Sequence, residues 1–232
     1  MKQAKDPVCF QHKAIIAARH CHHIPAMKVI LINGSPRHDG NTFEALSAIA
    51  STLVREGVEA EIVWIGKRSI PGCTACMQCK RTGVCIFNTE PYSTIREKMR
   101  TADALIVGTP VYFGGPNGSL CALLDRLFYS SYPSGQFLAY KPAAAVAVCR
   151  RAGATDAIDR INKYFTALNM PVVSSQYWNI AYGRDHGDVL DDPEGLQTMR
   201  TLGRNMAWIL KKIHTDPTIP PQENRIFTNF IR

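Results

Sequence analysis

Four cysteines, Cys73, Cys76, Cys79 and Cys85, are separated by two, two and five residues. Thiolates set this tightly on one loop can grip a [4Fe–4S] unit. The same run also fits a four-thiolate zinc site, thiols that simply pack, or thiols in redox exchange. The two-residue gaps between three successive cysteines suit a cubane better than the paired arrangement usual for zinc. Cys9, Cys21, Cys121 and Cys149 fit neither metal pattern.

A second run, Gly34-Ser35-Pro36-Arg37-His38-Asp39-Gly40-Asn41-Thr42, lies between an apolar stretch and a helical pattern. Free backbone N–H groups and the helix dipole make such a junction an anion site. Ser35, Asn41 and Thr42 can donate hydrogen bonds, and Arg37 adds positive charge. A Walker loop would need lysine where Asn41 stands, and the Gly-x-Gly-x-x-Gly fingerprint is absent. ATP or GTP hydrolysis and a Rossmann-held dinucleotide are therefore not expected, which leaves a monophosphate. A third run, Thr109-Pro110-Val111-Tyr112-Phe113-Gly114-Gly115-Pro116-Asn117-Gly118, offers aromatic faces and bare backbone. If the two loops meet, the pair suits a flat ring with a phosphate tail.

The first loop resembles the NAD(P)H-dependent FMN reductase and flavodoxin-like family, in which it commonly reads Gly-Ser-Pro-Arg-x-x-Gly-Asn-Thr. With the later motifs the likeness covers about residues 27–213. It implies that Ser35, Arg37, Asn41 and Thr42, with Pro36 between them, grip the phosphate of FMN. It also implies flavin contacts on Pro110, Val111, Tyr112, Phe113 and Gly114. The loop Cys149-Arg150-Arg151-Ala152-Gly153 should lie beside the same crevice, where Arg150 or Arg151 could stabilise a reduced, anionic flavin and Gly153 could approach it. Many relatives carry more glycine there, so the double arginine is a departure. The cysteine run resembles the compact motif of iron–sulfur flavoproteins, a branch of the same family.

These loops require elements that bring them together. Val29-Ile30-Leu31-Ile32 reads as a strand buried on both faces, and 41–56 has helical apolar spacing ending at Gly57. Further strands are expected at 60–65, 104–108, 143–148 and 172–177, and further helices at 92–101, 118–130, 156–168 and 193–213. That alternation predicts an α/β, flavodoxin-like doubly wound fold: a five-stranded parallel sheet of order 2-1-3-4-5 in three α/β/α layers. Ligands of such sheets bind outside the carboxyl ends of the strands at the switch point, where the loops after the first and third strands meet. The Asp125-Arg126 pair reads as a structural ion pair or helix anchor.

At 232 residues the chain is the size of one decorated domain. We expect an N-terminal extension over 1–26, disordered, the FMN-binding domain over 27–213, and a tail over 214–232 that packs across a neighbour. The extension, with its His20-Cys21-His22-His23 cluster, carries +3 of the +8 net charge. The rest is scattered, so nucleic-acid binding is not expected. No apolar run approaches the ~20 residues of a membrane span, and Ala14–Ala18 is too short for a secretory core. The expected setting is cytoplasmic, and relatives suggest a homodimer or homotetramer.

The function expected is an FMN-dependent oxidoreductase that accepts hydride from NAD(P)H and reduces a small acceptor such as a quinone, a flavin or a metal complex. The flavin carries the chemistry, so no catalytic side chain is assigned. The alternative is an iron–sulfur flavoprotein electron carrier with a [4Fe–4S] cluster on Cys73, Cys76, Cys79 and Cys85. A plain FMN-binding module without turnover is a third reading.

Overall fold

The computed structural model describes residues 27–134, 136–224, 226 and 228. The expected extension over 1–26, with Cys9, Cys21 and the histidine cluster, lies outside them.

Strand β1 (Lys28–Asn33) is followed by α1 (Asn41–Arg55) and β2 (Glu59–Trp64). A short α2 (Gln78–Thr82) and α3 (Tyr92–Thr101) precede β3 (Ala104–Tyr112), and a two-residue β4 (Gly115–Pro116) folds back on β3 before α4 (Gly118–Ser131). The chain continues through β5 (Ala143–Cys149), α5 (Ala154–Ala167), β6 (Ile180–Tyr182) and α6 (Pro193–Thr215). The main sheet has the order β2-β1-β3-β5-β6, and every neighbour in it is parallel. With β4 off that path, this is the 2-1-3-4-5 order expected of a flavodoxin-like sheet.

The pleat explains the layers, because successive side chains point to opposite faces. Ile30, Ile32, Leu105 and Val107 join the core under α3, α4 and α5. Val29, Leu31, Ala104 and Ile106 join the core under α1 and α6. Both faces of β1, β3 and β5 are thus dry, as the unbroken apolar runs require. The alanines of β5 split the same way, Ala143 and Ala145 to one core and Ala144 to the other.

One strand lies elsewhere than the pattern predicts. Over 172–177 only Val172 forms a bridge, to Ala143. The chain then turns on itself: Ser175 Oγ donates to Tyr177 O (2.6 Å) and accepts from Tyr177 N (3.4 Å). Serine bonding its own backbone in this way competes with a ladder. Regular pairing resumes at β6, where Ile180, Ala181 and Tyr182 stand opposite Ala147, Val148 and Cys149.

Among the described residues no helix is long and apolar enough to cross a membrane.

Candidate functional site

Two cavities gather most of the residues that the sequence singles out. The first is a crevice of about 180 Å³ at the carboxyl edge of the sheet. Its floor is the loop after β1, which is held rigidly. Gly34 N donates to Gly108 O (2.9 Å), tying the loop to β3. A Cβ on Gly34 would stand 2.8 Å from that same oxygen and 2.5 Å from Leu120 Cδ2, so only glycine fits. Asn33, fully buried, accepts from Ser35 N (3.1 Å) and donates to His38 O (3.0 Å). Trp64 Nε1 donates to Ser35 O (2.7 Å).

From this floor Ser35, Arg37, Asn41 and Thr42 all line the crevice. Helix α1 starts without a side-chain cap; Phe43 N and Glu44 N donate to Gly40 O (2.8 and 3.2 Å), and the amides of Asn41 and Thr42 bond no other described residue. Thr42 is 2% exposed, and its hydroxyl bonds no other described residue. Asn41 differs from the expectation of a phosphate donor. Its Nδ2 donates to Asp185 O (2.7 Å), and its Oδ1 accepts from Gly187 N (3.0 Å) and Val189 N (3.3 Å). It clamps the loop after β6 onto the floor, and that loop adds Gly183 and Arg184 to the lining.

The opposite wall comes from β3 and β5. Pro110, Val111 and Tyr112 line it, as do Val148, Cys149 and Arg150. Burial pushes the Cys149 thiol above its ordinary range. Arg37 and Arg150 form no ion pair among the described residues, and none of the lining residues is acidic. The crevice lining is thus basic, with one aromatic residue, Tyr112.

Pro36, Phe113, Gly114, Arg151 and Gly153 do not line the crevice. Residues Tyr112 to Gly115 form a two-residue hairpin in which Phe113 (φ 50) and Gly114 (φ 77) both take the left-handed conformation. The turn carries the Phe113 ring outward, to full exposure. Gly153 (φ 83) starts α5 and packs directly behind that turn, where a Cβ would come within 2.6 Å of Gly114 Cα. It supports the wall without lining it. Cys149 lines the crevice with the loop that the sequence places beside it, whereas Val148, Gly183 and Arg184 are not singled out by the sequence. Val148 follows from its place at the end of β5, and the other two are hidden by the misplaced last strand.

The second cavity, about 20 Å³, lies under the cysteine loop, and Cys73, Cys76, Cys79 and Cys85 all line it. Ala75 (φ 53) and Met77 (φ 58) are left-handed, a strain of roughly 1–2 kcal/mol each that ordinary loops avoid. The surroundings hold this shape. Gly83 N donates to Cys79 O (2.8 Å), Arg96 to Gly83 O (2.9 Å), and Cys85 N to Tyr92 Oη (3.0 Å). Burial pushes the Cys79 thiol up, and charge on Cys85, Cys73 and Cys76 acts in the same direction. Among the described residues no three His, Cys, Asp or Glu side chains are placed to share a single metal ion. The donor set, four thiols lining one cavity, is of the kind a [4Fe–4S] unit takes.

Asp125 and Arg126 do not pair with each other. Asp125 accepts from Tyr164 Oη (2.5 Å) and lies 3.7 Å from Arg160, joining α4 to α5. Arg126 turns the other way, into the cysteine cavity.

The NADPH-dependent FMN reductase profile matches residues 27–185. An iron–sulfur flavoprotein of Methanocaldococcus jannaschii is 38% identical over 81% of this chain and 99% of its own length. An iron–sulfur flavoprotein of Methanosarcina thermophila is 29% identical over 81% of this chain and 97% of its own. Among solved structures, RosB with bound 8-demethyl-8-formylriboflavin-5'-phosphate superposes with a TM-score of 0.67 at 16% identity, covering 89% of this chain and 94% of that one. At that identity the likeness speaks for the fold.

Proposed function

The chain belongs to the NADPH-dependent FMN reductase family, with its iron–sulfur flavoprotein branch, and we propose that it is an FMN oxidoreductase whose flavin occupies the crevice between the loops of β1 and β3. The observation that carries this reading is the crevice itself: unpaired Arg37 and Arg150, the free hydroxyl of Thr42 and an uncapped helix start on one side, the Tyr112 wall on the other, and no carboxylate in the lining.

Bound FMN would take hydride from NAD(P)H and pass electrons to a small acceptor such as a quinone or a second flavin. The chain supplies binding and orientation. Ser35, Thr42 and the amides opening α1 would hold the phosphate, with Arg37 as its counter-charge. Pro110, Val111 and Tyr112 would define the plane of the ring. Arg150 would favour the more negative, reduced form. Asn41 acts one step back, fixing the loop that carries Arg184.

A second reading adds to the first. Cys73, Cys76, Cys79 and Cys85 would hold a [4Fe–4S] cluster, which supplies one-electron transfer. The convergence of all four thiols on one cavity favours it.

Anaerobically purified protein tests both. Visible bands of flavin that bleach on addition of NADH or NADPH support the oxidoreductase, and about four irons and four sulfides per chain support the cluster. Arg37→Ala should weaken FMN binding at least tenfold in a fluorescence titration, since a hydrogen bond to a charged group contributes about 1.5–3 kcal/mol. Colourless protein that takes up no FMN would refute the first reading.

A further inference from the structure

Helix α4 sends one charged side chain inward. Arg126 is 2% exposed, yet among the described residues it meets no carboxylate. Its Nη1 donates to Pro71 O (3.1 Å), its Nη2 to Phe87 O, and its Nε to Cys85 Sγ at 3.4 Å. The guanidinium carbon stands 4.8 Å from the centre of the Tyr92 ring and 5.7 Å from that of Phe87. Neutral carbonyls and ring faces offset only part of the cost of burying a cation. The partner this arrangement lacks is a full negative charge.

The same guanidinium lines the cavity into which the four thiols converge, and no other lining residue carries a positive charge. We infer that Arg126 is the fixed counter-charge of the centre held by Cys73, Cys76, Cys79 and Cys85, acting through its N–H···S contact with Cys85 to raise that centre's reduction potential. The inference rests on the cluster reading above. A [4Fe–4S] core with four thiolates is a dianion when oxidised and a trianion after taking one electron, and no bond to a ligand forms or breaks. A buried cation and a hydrogen bond to a ligand sulfur both favour the more negative form. Arg126 is a positioning and tuning residue: it reaches the centre through a ligand.

A purely structural strap between Pro71 and Phe87 would give a different result, and two variants separate the cases. Wild type, R126K and R126M are reconstituted anaerobically with FMN, ferrous iron and sulfide, assayed for both, and titrated electrochemically with spectroscopic detection of cluster and flavin. R126M should bind FMN as wild type does, with an unchanged flavin potential, because Arg126 is absent from the crevice lining. Its cluster should be at least tenfold harder to reduce at a given potential, a downward shift of about 59 mV for a one-electron couple. R126K, with its charge kept, should stay within threefold of wild type. Loss of iron from R126M alone, with R126K loaded at the wild-type potential, upholds the requirement for charge. An unshifted R126M overturns the inference, as does an equal shift in R126K or loss of iron from both variants. If wild type itself takes up no iron and sulfide, the cluster reading has failed and the inference falls with it.

Discussion

The crevice at the edge of the sheet draws its walls from four loops spread between Ser35 and Arg184, whereas the cysteine cavity takes most of its lining from residues 73–87 and the rest from α4. The crevice is a consequence of topology: any chain with the β2-β1-β3-β5-β6 order brings those strand ends together. The cavity is a consequence of local sequence pressed onto a helix, with left-handed residues bending the loop around its own thiols. The two sites should therefore fail independently, one through the sheet and the other through the loop.

The largest effect tests the loop. Cys79→Ser should abolish iron and sulfide uptake, because a buried thiol is exchanged for a hydroxyl that is a poor ligand, while FMN affinity stays within about twofold of wild type. If FMN were lost as well, the two regions would be one cooperative unit and the contrast would break. Gly153→Ala tests the sheet edge. Alanine must hold φ near 83 and place its Cβ 2.6 Å from Gly114 Cα. A cost of at least about 1–2 kcal/mol is expected, seen as a Tm lower by several degrees and FMN binding weaker by roughly tenfold. Iron content should not change.

The smallest effect comes from a position outside both regions. Glu61 on β2 lies 2.7 Å from Lys28 and 2.5 Å from Lys98, and the hydrogen bonds of Lys28 and then Lys98 hold its carboxyl below the ordinary 4.5. A depressed carboxylate contributes stability that is present above its unfolded pKa and fades as pH falls through the folded one. Wild type should exceed Glu61→Gln by no more than about 1 kcal/mol at neutral pH, since the cluster is about a third exposed and screened. The two should converge as the pH falls below 4.5, measured by denaturant unfolding. Neither cofactor content should respond.

The legibility of each region follows from the same contrast. That Ser35, Arg37 and Thr42 share the crevice floor is readable because a buried strand, a glycine-bearing loop and a helix start are adjacent in the chain. Tyr112 was readable as a wall, but Phe113 was not separable from it: whether the ring faces the crevice or solvent is set by the hairpin with β4, a two-residue pairing too short to leave a periodic signal. Asn41 stood at the right place for a phosphate donor, yet its carboxamide is taken by a loop some 145 residues away, at Asp185 and Gly187.

By itself, the sequence determined the alternation of buried strands and amphipathic helices, and with it the sheet order and the edge at which the crevice opens, because hydrophobic period and crossover handedness are properties of neighbouring residues. It also determined the spacing of the four thiols. Only the tertiary structure decided where the last strand pairs, which arginines reach the crevice, and that Arg126 turns away from Asp125 to lie beside Cys85. Those outcomes depend on packing between segments far apart in the chain, where the choice of partner is made by volume and unmet hydrogen bonds, and no local pattern encodes either.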